Sequence, residues 1–178
     1  KPPLISLGEC ILGVVGVGDC GKAVVRRARA FGMQILGNDI KEMPRDFIAE
    51  TGIEMVSLEN LLTAADFVSL NPDLNPTSHH LIGKQQLEMM KTGAYLINAS
   101  RGPVVDENAL IEALQKKRIA GAGLDVFEEE PLPQDSPLRT FDNCLMAPHN
   151  ANSSPRAWQH VHVNTVRNLL KGLHAAGE

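Results

Sequence analysis

The chain of 178 residues has few cysteines and no pattern that would pair them. Cys10, Cys20 and Cys144 are odd in number and scattered, without the C-x-x-C spacing of a zinc site or a redox dithiol. We therefore expect reduced thiols in or near the core, and no bound metal.

Long apolar runs and clusters of positive charge are also missing. No apolar stretch approaches the roughly 20 residues that a membrane-spanning helix needs, and the first residues lack the arrangement of a signal peptide. Lys and Arg form no stripe, and the formal charge is −4. These absences predict a cytoplasmic protein whose main partner is neither nucleic acid nor an anionic membrane.

The residues that are present have the composition of an ordinary α/β domain, 43% hydrophobic and 21% charged. Strand-like and helix-like segments alternate without a long linker or repeat, which predicts a doubly wound parallel sheet, of Rossmann type, with helices on both faces. The predicted strands are 11–15, 34–38, 67–70, 94–98, 123–126 and 143–146, with a weaker one around Glu54. The predicted helices are 22–31, 58–65, 84–90, 107–116 and 155–171.

Capping residues support several of these boundaries. Ser57, Asp106 and Ser154 each precede a predicted helix and can accept hydrogen bonds from its first N–H groups. Pro155 suits a first helical position, and Gly172 suits the end of the last helix.

Apolar spacing predicts which helix faces are buried. In the first helix Val24, Ala28 and Phe31 share one face. In the last helix an apolar stripe follows the i, i+3, i+4, i+7 spacing, which predicts packing against the core. Its members are Val166, Leu169, Leu170 and Leu173.

The first predicted strand runs directly into a glycine-rich turn, G-V-G-D-C-G, residues 16–21. Gly16 permits a tight turn, Gly18 lets the backbone approach a pyrophosphate, and Gly21 lets the following helix pack closely on the strand. The free N–H groups at the start of that helix would face the phosphates. Protein kinases also use a G-x-G-x-x-G string, but the chain has no V-A-I-K, H-R-D or D-F-G.

An acid follows at the spacing that a dinucleotide site requires. Asp39 ends the second predicted strand, 18 residues after Gly21 (39 − 21 = 18), where it can bind the ribose hydroxyls. A 2′-phosphate would meet like charge there, so NAD is favoured over NADP.

Polar residues just beyond the other strands are further candidates, because ligands bind at the carboxyl edge of such a sheet. Arg101 can hold a carboxylate through two hydrogen bonds, or can be a solvated or ion-pairing arginine. Asp125 lies within an apolar stretch and needs partners, whereas the run Glu128 to Glu130 is typical of a solvated face. His149 can exchange a proton near neutral pH, or can be a structural histidine.

Taken together, these motifs resemble one known family. The motifs follow one another in order over nearly the whole chain: G-V-G-D-C-G, Asp39, L-N-P-T with H-L-I-G, L-I-N-A-S-R-G-P-V-V-D-E-N-A-L, G-L-D-V-F-E-E-E-P and A-P-H. The chain resembles the NAD-binding domain of the D-isomer-specific 2-hydroxyacid dehydrogenases, the family containing D-3-phosphoglycerate, glycerate and formate dehydrogenases.

The resemblance implies residue roles. Arg101 would bind the substrate, His149 would be the acid/base, and Glu130 would orient His149 and favour its charged form. Hydride would pass between C2 of a 2-hydroxy acid and the nicotinamide, and the protein would form a homodimer through this domain, with its apolar helices as candidate contacts. Besides Gly16, Gly18, Gly21 and Asp39, the implied cofactor-binding residues are Asp19, Cys20, Pro72, Ser100, Asp125 and Asn150.

Some features depart from the family pattern. Ala151 stands where a glycine-containing turn usually follows the histidine, so we expect a different loop shape near the nicotinamide. Asp19 should contribute its backbone N–H to the pyrophosphate and point its side chain away.

The chain also begins at Lys1 without Met, soon enters a strand, and lacks the family's substrate domain. We therefore expect residues 1–178 to be one NAD-binding domain of a two-domain enzyme, able to bind NAD(H) but poorly active alone.

Two other functions share parts of this pattern. An NAD(H)-responsive binding protein resembling the family's transcriptional corepressors would have the same scaffold. An adenosylhomocysteine hydrolase-like domain shares a G-x-G-D-x-G-K turn but does not account for Arg101, Glu130 and His149 together.

Overall fold

Seven parallel strands form one sheet in the order β3-β2-β1-β4-β5-β6-β7 in a computed structural model that describes residues 5–151 and 153–175. The strands are β1 Ile11–Val15, β2 Gln34–Asn38, β3 Glu54–Met55, β4 Phe67–Leu70, β5 Tyr95–Asn98, β6 Gly121–Leu124 and β7 Cys144–Met146. The order reverses between β1 and β4, which is where doubly wound sheets bind ligands. The predicted fold class is confirmed.

Helices connect the strands. They are α1 Asp19–Ala30, α2 Arg45–Thr51, α3 Leu58–Ala64, α4 Lys84–Met89, α5 Glu107–Gln115 and α6 Pro155–Ala175, with short 3-10 helices at Leu7–Glu9, Gly102–Val104 and Pro137–Thr140. Ser57, Asp106 and Ser154 accept hydrogen bonds from Asn60, Ala109 and Ala157 N–H, so the three predicted caps are confirmed.

Several boundaries differ from prediction. Helix α1 begins at Asp19 rather than Lys22, because it starts directly from the glycine turn. Strand β6 begins two residues before the predicted Gly123. Helix α2 was not predicted, since seven residues with only Phe47 and Thr51 buried give too short an apolar period to recognise.

The core lies on both faces of the sheet. On one face α3, α4 and α5 cover the central strands. Leu61 of α3, Leu96 of β5 and Leu110 of α5 are almost fully buried between these layers. On the other face α1 and α2 pack through Val25 and Phe47. This packing fixes the carboxyl ends of the strands relative to one another.

The prediction that the α6 stripe is buried was wrong. Val166, Leu169, Leu170 and Leu173 are 50–61% exposed, and α6 continues through Gly172 to Ala175. Spacing identifies an apolar face, but only tertiary packing decides whether anything covers it. Helix α6 is nevertheless not a membrane span, since no helix within the described ranges is both long and apolar enough to cross a bilayer.

Two smaller predictions also needed correction. Phe31 lies beyond the end of α1 and is 64% exposed, so only Ala28 of the predicted face is fully buried and Val24 is partly buried. All three cysteines are free, but only Cys10 and Cys144 are buried, whereas Cys20 is exposed on α1. Burial raises the pKa of Cys144 to about 11, as expected for an unreactive core thiol.

Candidate active site and cofactor site

Each of the three positions in the first turn is glycine for a different physical reason. Gly16 has φ +81°, and a Cβ there would lie 2.6 Å from Pro72 N. A Cβ on Gly21 would lie 2.1 Å from the Gly16 carbonyl oxygen, whereas a Cβ on Gly18 would meet nothing within 4 Å. Gly16 and Gly21 are therefore required by the fold, and Gly18 leaves open space above the turn, as a bound pyrophosphate requires.

The start of α1 is open to an anion. No side chain caps the helix at Gly18, so its first N–H groups have no side-chain acceptor. Asp19 and Cys20 lie exposed in the first turn, as expected if they offer backbone N–H groups. Pro72 lies against Gly16, which places the segment after β4 beside the same turn.

Asp39 lies next to the glycine turn. Its Oδ2 accepts a hydrogen bond from Val17 N–H at 2.7 Å, and its Oδ1 accepts one from Lys41 N–H at 2.8 Å. The carboxylate therefore holds the turn as well as facing it. Each oxygen retains a lone pair that a ribose hydroxyl can use.

Arg101 follows β5 in a segment held by Asn98. Buried Asn98 accepts from Ser100 N–H and Oγ–H and donates through Nδ2 to the Arg101 carbonyl. Arg101 Nη1 donates to the Ser100 carbonyl at 2.7 Å, while the guanidinium stays exposed with further donors free to bind a ligand. Ser100 thus shapes the strand end through its contacts with Asn98.

Asp125 follows β6 and holds the histidine loop. Its two carboxylate oxygens accept from Asn150 N–H and Ala151 N–H, each at 2.9 Å. These bonds provide the partners that a buried carboxylate needs. They also fix the loop at Ala151, where the sequence departs from the family pattern, and His149 there has a left-handed φ of +53°.

His149 and Glu130 form a direct pair. The distance from His149 Nδ1 to Glu130 Oε2 is 2.8 Å, and Glu130 Oε1 accepts from Phe127 N–H at 3.1 Å. The hydrogen bond to His149 lowers the pKa of Glu130 below its ordinary 4.5, so Glu130 is a carboxylate near neutral pH. A cleft of about 730 Å³ opens beside the pair, lined also by Pro131, Leu132, Met146 and Pro148.

The Arg101 loop touches the Glu130 loop through Gly102. A Cβ on Gly102 would lie 1.8 Å from the Phe127 carbonyl oxygen, so only glycine permits this contact. The three predicted catalytic residues therefore come from adjoining loops at one edge of the sheet.

Sequence reasoning missed a polar cluster beside this contact. His80 Nε2 lies 2.6 Å from Glu128 Oε1, and Glu128 exchanges backbone-to-side-chain hydrogen bonds with Glu107. Burial, with a smaller contribution from the charges of Glu128 and Glu129, raises the pKa of Glu107. Glu128 is exposed, as predicted for a solvated face. Its contacts join distant segments, which no local spacing reveals.

Metal ligands do not come together in the described part of the chain. Within residues 5–151 and 153–175, no group of three or more His, Cys, Asp or Glu side chains could hold an ion.

The parallel sheet, the glycine turn and Asp39 define a dinucleotide-binding domain. The model of the family "D-isomer specific 2-hydroxyacid dehydrogenase, NAD binding domain" matches residues 2–151. The chain belongs to this family and is an NAD-binding domain, as its motifs predicted.

Named relatives support this assignment. The chain is 46% identical to a glyoxylate reductase of Korarchaeum cryptofilum over 172 residues, covering 94% of this chain and 52% of that protein. It is 45% identical to a D-3-phosphoglycerate dehydrogenase of Methanocaldococcus jannaschii over 172 residues, covering 94% of this chain and 32% of that protein.

A solved structure agrees in fold. The NAD-complexed form of a D-isomer specific 2-hydroxyacid dehydrogenase from Lactobacillus delbrueckii ssp. bulgaricus matches with a TM-score of 0.83 and 32% identity. The match covers 94% of this chain and 55% of that one. The chain thus spans about half the length, or less, of the proteins that it resembles.

Proposed function

We propose that the protein carrying this domain transfers hydride between NAD(H) and a D-2-hydroxy acid or the corresponding 2-keto acid. The observation that carries the proposal is the His149–Glu130 pair, held at 2.8 Å beside the Arg101 loop at the carboxyl edge of the sheet. Membership of the dehydrogenase family supports the same reaction.

His149 would serve as the acid/base. Because Nδ1 faces the Glu130 carboxylate, Nε2 is the ring nitrogen left to face a substrate. It would take the hydroxyl proton during oxidation and return a proton to the carbonyl oxygen during reduction. Glu130 orients the ring and stabilises the charged imidazolium that forms.

Arg101 would bind the substrate carboxylate or polarise its carbonyl oxygen. Its Nη1 donates a hydrogen bond to the Ser100 carbonyl, which orients the guanidinium group. The other N–H groups are left for the ligand. A cation at this position stabilises negative charge that develops on the substrate oxygen.

The cofactor would lie across the glycine turn. Bound NAD supplies the carbon that accepts or donates hydride. Gly18 and the start of α1 would receive the pyrophosphate and Asp39 the adenosine ribose, with Asp19, Cys20, Pro72 and Gly21 forming the walls of the site. Asp125, Asn150 and Ser100 would line the nicotinamide end.

We propose a small 2-hydroxy acid or 2-keto acid as the substrate class. Relatives at 46% and 45% identity, a glyoxylate reductase and a D-3-phosphoglycerate dehydrogenase, support this class. We propose a two-domain enzyme in which residues outside this chain complete the substrate site. Residues 1–178 alone would then bind NADH but turn over poorly.

Two measurements test the function. Calorimetry on this chain should show NADH binding more tightly than NADPH, because Asp39 would repel a 2′-phosphate. The full-length protein should oxidise NADH with a panel of 2-keto acids that begins with glyoxylate. Cofactor binding without turnover, together with partner binding that depends on the NADH/NAD⁺ ratio, would favour the corepressor-like function.

The family resemblance also supports a homodimer, and we propose a cytoplasmic location. Analytical ultracentrifugation of the full-length protein tests the dimer, and cell fractionation tests the location. A monomer at micromolar concentration would contradict the first.

A further inference from the structure

Three polar side chains near the Arg101 loop have no role in the proposed reaction. They are His80, Glu107 and Glu128. His80 Nε2 lies 2.6 Å from Glu128 Oε1, the same oxygen accepts from Glu107 N–H at 3.3 Å, and Glu128 N–H donates to Glu107 Oε2 at 3.1 Å. Three contacts therefore fix Glu128, and His80 brings a basic ring to a cluster of acids.

The His80 ring is presented by an anchored backbone. His80 N–H donates to the Pro103 carbonyl at 2.8 Å, and Ile82 N–H donates to the Val104 carbonyl at 3.1 Å. The φ of His80 is +49°, a left-handed conformation that side chains other than glycine seldom adopt. The segment carrying His80 thus lies alongside the residues that follow Arg101.

Glu128 lies between the two halves of the candidate active site. On one side, the preceding Phe127 carbonyl packs against Gly102, next to Arg101. On the other side, Phe127 N–H donates to Glu130 Oε1, and Glu130 Oε2 lies 2.8 Å from His149 Nδ1. Contacts therefore run without a break from His80 through the 127–128 segment to the proposed acid/base.

We propose that His80 is a positioning residue. By holding Glu128 it keeps the Glu130–His149 pair aligned with Arg101. The inference rests on the proposed function, and it gives His80 no contact with substrate or cofactor.

Because the His80–Glu128 contact is partly exposed, we expect it to affect the alignment of the active-site residues more than the stability of the fold. The side chains of His80 and Glu128 are 40% and 30% exposed, and a contact this exposed contributes little to stability even when both groups are charged. Reaction rates, in contrast, fall steeply when reacting groups are misplaced by about 1 Å.

The kinetic test uses three variants of the full-length protein. His80→Ala removes the contact and His80→Gln keeps an N–H donor for Glu128. His160→Ala, at an exposed position on α6, is the control. We expect His80→Ala to lower kcat/KM for a 2-keto acid about five- to tenfold with NADH affinity unchanged. The kcat/KM of His80→Gln should recover to within about twofold of wild type, and that of His160→Ala should also lie within about twofold of wild type.

A double variant tests whether the effect passes through Glu130. In a Glu130→Gln background the path to His149 is already broken, so adding His80→Ala should cost less than about twofold. An equal loss in both backgrounds, or no loss in either, would overturn the proposal.

A third measurement needs no turnover. Amide hydrogen exchange in the 178-residue chain should speed up at Phe127 in His80→Ala, because the Phe127 N–H bond reports the position of Glu130. Exchange at Asn150 and Ala151, which bond to Asp125, should stay unchanged. Unchanged exchange at Phe127 would overturn the role of His80, whereas an inactive wild-type protein would overturn the proposed function instead.

Discussion

Two regions hold ligand-binding groups at the same edge of the sheet: the glycine turn after β1, and the loops that carry Glu130, Asp125 and His149, which we call the His149 corner. They keep their shapes for opposite structural reasons. The turn is one continuous segment, residues 16–21, and its shape requires that Cβ atoms be absent at Gly16 and Gly21. The corner joins the Glu130, His149 and Asp125 segments, and its shape requires hydrogen-bonding side chains to be present.

This difference determines what each region tolerates. Adding a Cβ at Gly16 or Gly21 should damage the turn, because the surrounding backbone leaves no room for it. Removing a charge or an acceptor should damage the corner, because the N–H groups of Phe127, Asn150 and Ala151 would lose their acceptors. Substitutions of each kind can therefore separate cofactor binding from catalysis.

The largest effect is expected at the corner. In the full-length protein, His149→Gln should lower kcat about 10³-fold, since it removes the acid/base while leaving the glycine turn intact. NADH affinity should change by less than about twofold. Steady-state kinetics and calorimetry check both values, with His162→Gln on exposed α6 as the control. A loss of kcat below about tenfold would remove His149 from the mechanism.

The next largest effect separates two glycines of the turn. Gly21→Ala should lower the free energy of unfolding by about 3 kcal/mol, because its Cβ would lie 2.1 Å from the Gly16 carbonyl. Gly18→Ala should change it by less than about 0.5 kcal/mol, since the site is open and its φ of −72° suits alanine. It should still weaken NADH binding by about tenfold or more by filling the phosphate space.

Urea unfolding and calorimetry on the same two variants provide the check. If Gly18→Ala bound NADH normally, the space above the turn would not be the pyrophosphate site. If Gly21→Ala were as stable as wild type, the turn would be less constrained than its geometry indicates.

A smaller effect is expected from the acid that holds the His149 loop. Asp125→Asn leaves one acceptor oxygen for two N–H donors, so the free energy of unfolding should fall by about 1–2 kcal/mol. Exposed Asp135→Asn is a matched control and should stay within about 0.5 kcal/mol of wild type. Equal stability of the two variants would mean that the Asp125 contacts do not hold the loop.

The smallest effect is a pH dependence at Glu130. The His149 hydrogen bond lowers the pKa of Glu130 in the folded protein below its ordinary value of 4.5. The ionised carboxylate therefore stabilises the fold above about pH 4.5, and this contribution is lost as the pH falls through the lowered pKa of the folded state. The group is 37% exposed, so the contribution should be below about 1 kcal/mol.

Urea unfolding of wild type and Glu130→Gln at several pH values measures this contribution. The difference in stability should be present at pH 7 and shrink in acid. A difference that grows on acidification would contradict the assigned direction.

Much of the fold could be predicted because its signals are local. Strands β1, β2 and β4 have the predicted bounds, and Ser57 and Asp106 cap the helices that follow them. Short apolar runs and caps act over a few residues, so neighbouring sequence is enough to reveal them. Helix α2 escaped prediction because its pattern is shorter than two helical turns.

The candidate site was predictable in part for the same reason. The glycine turn and Asp39 belong to one β-α-β unit. Arg101 and His149 each follow a predicted strand, and Asp125 lies at the end of one. Their spacing along the chain predicts that they share an edge of the sheet.

The sequence by itself determined the α/β class, the glycine turn and the amphipathic character of α6. Only the tertiary structure decided that the α6 stripe is exposed, that Asp125 holds the loop after His149, and that His80 contacts Glu128. The physical reason is the distance along the chain over which each interaction acts. Backbone conformation and apolar period are set by neighbouring residues, whereas side-chain hydrogen bonds between loops and the covering of a helix face depend on how distant segments pack.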